Sequence, residues 1–186
     1  MAVISGGAEA VFTDASHLRY LDISLPETPP GWVRIKNRLS GICGSDLHLI
    51  FLDVDLGVHP AIIPGHSVTY LGHEMVGGVV EAGPESGLKP GDRVIRRMRV
   101  GGGSCLAHGL EPCRQCREGH YNHCERNGLP DTVGGGFSEE FIAPAGGLLK
   151  IPDALTDDQA VLVEPAAVSL RGVLRCPPAE NQQVLV

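Results

Sequence analysis

The sequence predicts a mainly β fold with short helices, and three observations carry that prediction. Twenty-five glycines and fourteen prolines in 186 residues, with only 4% aromatic residues, suit many turns and short strands rather than a helical bundle. Leu21, Ile23 and Leu25 alternate with Asp22 and Ser24, and Val33 and Ile35 alternate with Arg34 and Lys36, which is the period of a half-buried strand. Four later stretches, EMVGGVVEAG, DRVIRRMRV, FSEEFIAP and LLKIP, also read as strands.

Taken in order, the two alternating runs are joined by the turn-rich ETPPG. GICGSDLHLI follows, its glycines letting the backbone turn before a short helix. EMVGGVVEAG and DRVIRRMRV are separated by the loop GPESGLKPG. Residues 101–135 are rich in Gly, Cys, His and Arg, too polar for a core of their own. After FSEEFIAP and LLKIP, Thr156 begins a helix with Gln159 three residues on, a capping-box spacing. Pro165 is expected to end that run or to open a second helix at its first position. NQQVLV closes the chain as a polar turn and the beginning of a strand, with the look of an element cut short. There are no internal repeats.

Composition narrows the function. Hydrophobic content of 42% and charged content of 20% are ordinary for a soluble globular protein, and the length suffices for one domain and the start of another. A net charge of −7 disfavours a nucleic-acid surface, which draws on clustered Lys and Arg. No basic, apolar leader opens the chain and no apolar run approaches a membrane span, so the expectation is a cytoplasmic protein without a membrane segment. In a reducing cytosol a tight cysteine cluster favours a metal over disulfides.

Cys105, Cys113, Cys116 and Cys124 form Cys-x7-Cys-x2-Cys-x7-Cys. Zinc prefers four tetrahedral soft ligands, and a Cys-x2-Cys turn aims two thiolates at one point. A disulfide pair is the competing reading, and so is a redox Cys-x2-Cys, which needs a βαβ setting that this loop lacks. Four thiolates leave a net charge of −2 on Zn²⁺, which Arg114, Arg117 and Arg126 could offset, unless they simply line a solvated loop. His108, His120 and His123 are alternative ligands or plain surface histidines. A second constellation unites Cys43, Ser45 and His48 in GICGSDLH with His73 and Glu74 in LGHEMVGG. Cys, His and Glu are ligand types of an open catalytic zinc. Asp46 reads as a first-turn helix residue favoured by the helix dipole. His59 and His66 read first as plain loop residues, with lining of a substrate pocket the lesser alternative, and Cys176 as a semi-buried thiol.

In that order GICGSDLH, GHEMVGGVVEAG, PGDRV, CRQCREGHYNHC, GGGFSEEFIAP and LVEPAAVSLRGVL resemble the zinc-dependent medium-chain alcohol dehydrogenases, more narrowly their polyol, glucose and threonine dehydrogenase branch. The resemblance runs from about residue 18 on. It implies a GroES-like, partly open β-barrel catalytic domain over residues 1–155, with a structural-zinc loop at about 101–127. Residues 156–186 would be connecting helices and the first strand of a Rossmann domain. It also implies two zinc ions per chain. Cys43, His73 and Glu74 would hold the catalytic one, approached by Glu164 where other branches place a second cysteine. Ser45 and His48 match the proton relay, and Cys113, Cys116 and Cys124 match three structural-zinc ligands. The family spaces its first structural cysteine at position 110, which is Leu110 here. Cys105 is therefore expected to be that ligand, displaced by an inserted turn, LAHGLEP.

The chemistry so implied is oxidation of an alcohol or polyol, or reduction of an aldehyde in reverse. Zinc makes the alkoxide accessible near neutral pH, Ser45 and His48 carry the proton out, and hydride passes to NAD or NADP. No GxGxxG occurs: GGGSCLAHG comes nearest, with Leu106 where the last glycine should stand. The expectation is a catalytic-domain portion that by itself binds no NAD, from a homo-oligomeric parent enzyme. The alternative is a stand-alone zinc-binding interaction module on the same barrel.

Overall fold

The computed structural model describes residues 2–5, 18–20, 22–51, 68–97, 104–126 and 132–183. Eight strands and four α-helices lie along them. In chain order they are β1 (Ala2–Ser5), β2 (Leu18–Tyr20), β3 (Trp32–Ser40), α1 (Gly44–Phe51), β4 (Val68–Tyr70), β5 (Met75–Ala82), β6 (Arg93–Arg96), α2 (Arg114–Arg117), β7 (Glu140–Pro144), β8 (Leu148–Lys150), α3 (Asp157–Ala160) and α4 (Val163–Arg175). Strands β2-β1-β4 form a small antiparallel sheet, and β7-β3-β5-β6-β8 form the main one. The mainly β expectation holds.

Alternation along the central strands builds two apolar layers. One face gathers Val33, Ile35, Met75, Val79, Val94, Phe141, Ala143 and Leu148. The other gathers Val76, Ile95 and Ile151 with Ala160 of α3. Neighbours in sequence, such as Met75 and Val76 or Val94 and Ile95, thus point to opposite sides, as a pleated strand requires. Two irregularities bend the β3–β5 ladder. Between the pairs Arg34↔Glu81 and Ile35↔Val79 the extra residue is Val80, and between Asn37↔Gly77 and Leu39↔Val76 it is Arg38. Such bulges increase local twist, and here they curl the sheet into a half barrel. Pro144, which has no N–H to give, lies in β7 at the sheet's edge.

Several element expectations need correcting. Residues 22–29 form no strand. Pro26, Pro29 and Pro30 supply no ladder donors, and the Pro26 carbonyl instead accepts from the Arg34 guanidinium at 3.0 Å. Leu21 lies outside the described residues, as do His59, His66, residues 98–100 and the Val184–Val186 strand beginning. Strand β6 ends at Arg96. Thr156 does cap α3 with a full capping box: its Oγ1 accepts from Gln159 N at 3.3 Å and its N–H donates to Gln159 Oε1 at 3.0 Å. The second helix starts two residues before Pro165, which the first turn tolerates because its N–H groups have no intrahelical partner. Asp157 at the start of α3 accepts from Arg93 at 2.8 Å and pairs with Arg38 at 2.7 Å, tying the helix to β6 and to the bulge in β3.

Candidate functional site

The antiparallel register of β3 and β5 explains how two motifs thirty residues apart meet. Ser40 pairs with Met75 at the end of the ladder, so the chain leaving β3 toward Cys43 runs beside the chain entering β5 from His73 and Glu74. Gly41 N donates to Glu74 O at 2.7 Å and continues that alignment. Cys43, His73 and Glu74 then each offer one ligand atom, and these atoms all lie within 4.8 Å of one another. All three residues are half-buried.

The loop carrying His73 is fixed from two sides. Gly72 has φ +82, and a Cβ there would lie 2.7 Å from Phe137 N and 2.9 Å from Gly136 C, so only glycine fits. Gly136 N donates to Gly72 O at 2.8 Å and Phe137 N to Leu71 O at 3.2 Å, which docks the glycine-rich turn before β7 against this loop. From the other side comes Asp46. It is 2% exposed, and it accepts from Cys43 N at 3.0 Å and Gly72 N at 3.1 Å. Its Oδ1 lies 3.6 Å from His73 Nδ1.

Asp46 is therefore more than a helix-dipole residue. Burial opposes its ionisation, yet His73 and the N–H groups of Gly72 and Cys43 outweigh burial and hold the carboxyl below its usual range. The Asp46 carboxylate in turn, against the opposing effect of burial, lifts His73 to about 9. A carboxylate behind one imidazole nitrogen is the arrangement that orients a metal-ligating histidine. Sequence reasoning missed this role. The available signal was an acid three residues after Cys43, a spacing that lets a carboxylate fold back on the Cys43 N–H.

Glu164 stands near the beginning of α4, where Val163 packs against the Val76–Ile95 layer. It does not enter the group of three. Burial raises its carboxyl, and it interacts with His73, which lowers it, and with Glu74 and Asp46, which raise it further. Ser45 and His48 lie three residues apart on α1 and so on one side of that helix, Ser45 half-buried and His48 exposed.

The four cysteines converge as well. Cys105, Cys113, Cys116 and Cys124 are all buried and their sulfurs lie within 4.8 Å of one another. Cys113 Sγ and Cys124 Sγ are 3.9 Å apart, far beyond a disulfide and close to the ~3.8 Å edge of a tetrahedron with Zn–S bonds of ~2.3 Å. Backbone N–H groups point at sulfur, among them Cys105 N at Cys124 Sγ (3.4 Å), Cys113 N at Cys105 Sγ (3.5 Å) and Glu125 N at Cys113 Sγ (3.5 Å). The Glu125 N–H, followed by that of Cys116, holds the Cys113 thiol down to about 6, while burial pushes the Cys116 thiol up. Four sulfurs so close cannot all ionise comfortably without a cation among them. Their donor set and spacing fit zinc, and the Cys–His–Glu donor set fits an open zinc position.

Two of the arginines expected to offset the thiolate charge have other partners. Arg114 lies 3.6 Å from Glu125, and Arg117 donates to Pro112 O at 2.8 Å. His108, His120 and His123 stand outside the four-cysteine group. His108 packs edge-on against Trp32 with ring centroids 5.7 Å apart, and His120 lies beside Gln115 and Glu118. Ala107 O accepts from Gly146 N at 3.1 Å, a second tie between the lobe and the sheet. Cys176 is exposed rather than semi-buried.

Fold and sites together define a β half-barrel that carries one open Cys–His–Glu position and one closed four-cysteine knot. The chain belongs to the zinc-dependent medium-chain alcohol dehydrogenase family: the alcohol dehydrogenase GroES-like domain matches residues 29–153. The (R,R)-butanediol dehydrogenase of Bacillus subtilis (strain 168) is 40% identical over 164 residues, covering 84% of this chain and 43% of that protein. The crystal structure of 2R,3R-butanediol dehydrogenase from Bacillus subtilis superposes with a TM-score of 0.61 at 34% identity, over 88% of this chain and 45% of that one. A short chain alcohol dehydrogenase from E. coli CFT073, complexed with the cofactor NADH, gives a TM-score of 0.67 at 28% identity over 98% of this chain and 47% of that one. The chain spans less than half the length of these relatives.

Proposed function

We propose that this chain is the catalytic-domain portion of a zinc-dependent NAD(P) dehydrogenase acting on a small alcohol, polyol or aldehyde in the cytoplasm. The observation that carries the reading is the meeting of Cys43, His73 and Glu74, with buried Asp46 behind His73. In this reading Cys43, His73 and Glu74 hold a catalytic zinc, with the Glu164 carboxylate as a nearby fourth group. Cys105, Cys113, Cys116 and Cys124 hold a structural zinc. A zinc ion in the first position supplies Lewis acidity toward a substrate oxygen. Asp46 keeps the His73 ring oriented, and Ser45 and His48 carry the hydroxyl proton along α1.

Residues 1–155 would form the catalytic domain and 156–186 the connection to a nucleotide-binding unit. The exposed apolar residues Val168, Leu170, Val173 and Leu174 of α4 support that connection, and so does the greater length of the relatives. Among the described residues no helix is long and apolar enough to cross a membrane.

Elemental analysis of protein purified without chelator tests the metal reading. Two zinc per chain are expected, falling to one in Cys43→Ala. A single zinc in the unsubstituted protein, unchanged in Cys43→Ala, would refute the catalytic site, as would two zinc retained in Cys43→Ala. Zinc-dependent reduction of NAD or NADP by one member of an alcohol and polyol panel, measured on the enzyme carrying this domain, tests the activity.

A further inference from the structure

Gly41 lies between the end of β3 and Cys43, opposite Glu74. Glycines at close-packed positions usually serve the backbone, through a left-handed φ or a main chain pressed against them. Neither applies here. Gly41 is absent from the positive-φ glycines. The three atoms nearest to a Cβ built on it all belong to one side chain: Glu74 Oε2, which it would overlap, Glu74 Cβ at 3.2 Å and Glu74 Cδ at 3.5 Å. At Gly72, Gly83, Gly135 and Gly146 the corresponding obstacle includes main-chain atoms. Gly44, three residues further on, faces nothing within 4 Å.

We propose that Gly41 is a positioning residue for Glu74: its missing side chain is the slot in which the Glu74 carboxylate lies while facing Cys43 and His73. The inference rests on the metal reading of that group. Two contacts define the slot. The Gly41 N–H holds the Glu74 carbonyl at 2.7 Å, so the Glu74 backbone stays in place. The bare Gly41 Cα leaves room for the carboxylate to turn toward the other two ligands. An alanine would displace the flexible carboxylate end of Glu74 and press its Cβ, at 3.2 Å, by a few tenths of an ångström, without meeting main-chain atoms, so the expected damage falls on ligand geometry before the fold.

The test is Co²⁺ binding to the Cys43–His73–Glu74 position, with the four-cysteine site kept loaded with zinc. Cobalt reports the ligand field through its visible absorption. Gly41→Ala is expected to weaken Co²⁺ binding by about 10- to 100-fold, the usual cost of disturbing a ligand's support, and to shift the visible bands. Gly44→Ala should leave both unchanged. Glu74→Ala weakens binding by itself, and Gly41→Ala/Glu74→Ala should bind no more weakly than Glu74→Ala alone.

Unaltered binding and spectrum in Gly41→Ala, or losses that multiply in the double variant, overturn the inference while the metal reading stands. Failure of the unsubstituted protein to bind Co²⁺ there overturns the metal reading and the inference with it. Should Gly41→Ala fail to fold, restored folding in Gly41→Ala/Glu74→Ala supports Glu74 as the occupant of the slot, and continued failure overturns it.

Discussion

Replacing Asp46 by Asn keeps the shape of the side chain and removes its charge. The amide can still accept from Gly72 N, but its NH₂ then faces the Cys43 N–H, and one partly buried donor loses its acceptor. Such a loss costs about 1–3 kcal/mol. The larger effect concerns His73, which Asp46 lifts from 6.5 to about 9. That difference corresponds to roughly 3 kcal/mol of preference for the protonated ring, at ~1.36 kcal/mol per unit. Without the carboxylate, burial is opposed by Cys43 alone, and the His73 midpoint should fall well below 9.

The sign of the pH dependence follows. With the Cys–His–Glu position emptied by mild chelation, the His73–Asp46 pair contributes stability that is complete below 6.5 and is lost as pH rises through about 9. The stability difference between Asp46→Asn and the unsubstituted protein should accordingly be largest near pH 6 and shrink by pH 10. Zinc needs the neutral ring, so its affinity for the unsubstituted site should rise about tenfold per pH unit toward pH 9 on account of this proton. NMR titration of the His73 ring protons reads the midpoint directly. A midpoint near 6.5 in the unsubstituted protein, or one unmoved by Asp46→Asn, would refute the electrostatic account.

The remaining predictions concern the knot and the framework. Cys105→Ser should remove one zinc per chain and lower the thermal midpoint, because Cys105 is fully buried among the other three sulfurs; two zinc retained would show that it is not a ligand. Gly136→Ala would set a Cβ 2.6 Å from Ser40 Oγ and 2.8 Å from Gly72 O, and should destabilise by about 1–3 kcal/mol in urea unfolding. An unchanged urea midpoint would show that this approach is not tight. Thr156→Ala removes one half of the capping box and should cost about 1 kcal/mol in the same assay; a change below a few tenths would mean that the Arg38 and Arg93 pairs and the packing of Ala160 hold α3 without the cap.

The strands legible in the sequence were those whose alternation meets a partner. Val33 and Ile35 read correctly because β5 and β7 flank them and bury one face. The equally regular Ile23 and Leu25 do not, because prolines deny that run a ladder; periodicity reports amphipathic potential and not pairing. The cysteine spacing revealed the knot, Cys105 included, since thiolates have few other uses in such a cluster. The union of Cys43 with His73 and Glu74 rests on a register that no local pattern displays; ligand type suggested the grouping, and the resemblance gave it a definite ligand set. Asp46 was hidden for a similar reason. Its three partners, the Cys43 and Gly72 N–H groups and the His73 ring, come from two loops, and the short-range view left only the helix dipole.

The central place of β3 has a consequence for how the chain acquires its shape. One edge of β3 finds β5 soon after synthesis, but the other waits for β7, pairing Trp32 with Pro144. At ~5–20 residues per second on the ribosome, that edge stands open for roughly 5–20 s. An open strand edge invites pairing with other chains. The cysteine lobe emerges within this interval, and an ion bound there would tie residue 105 to residue 124 and shorten the segment still to be closed, at a lower entropic cost. The metal supply at the time of translation would then govern how much chain escapes aggregation, well before any substrate is met.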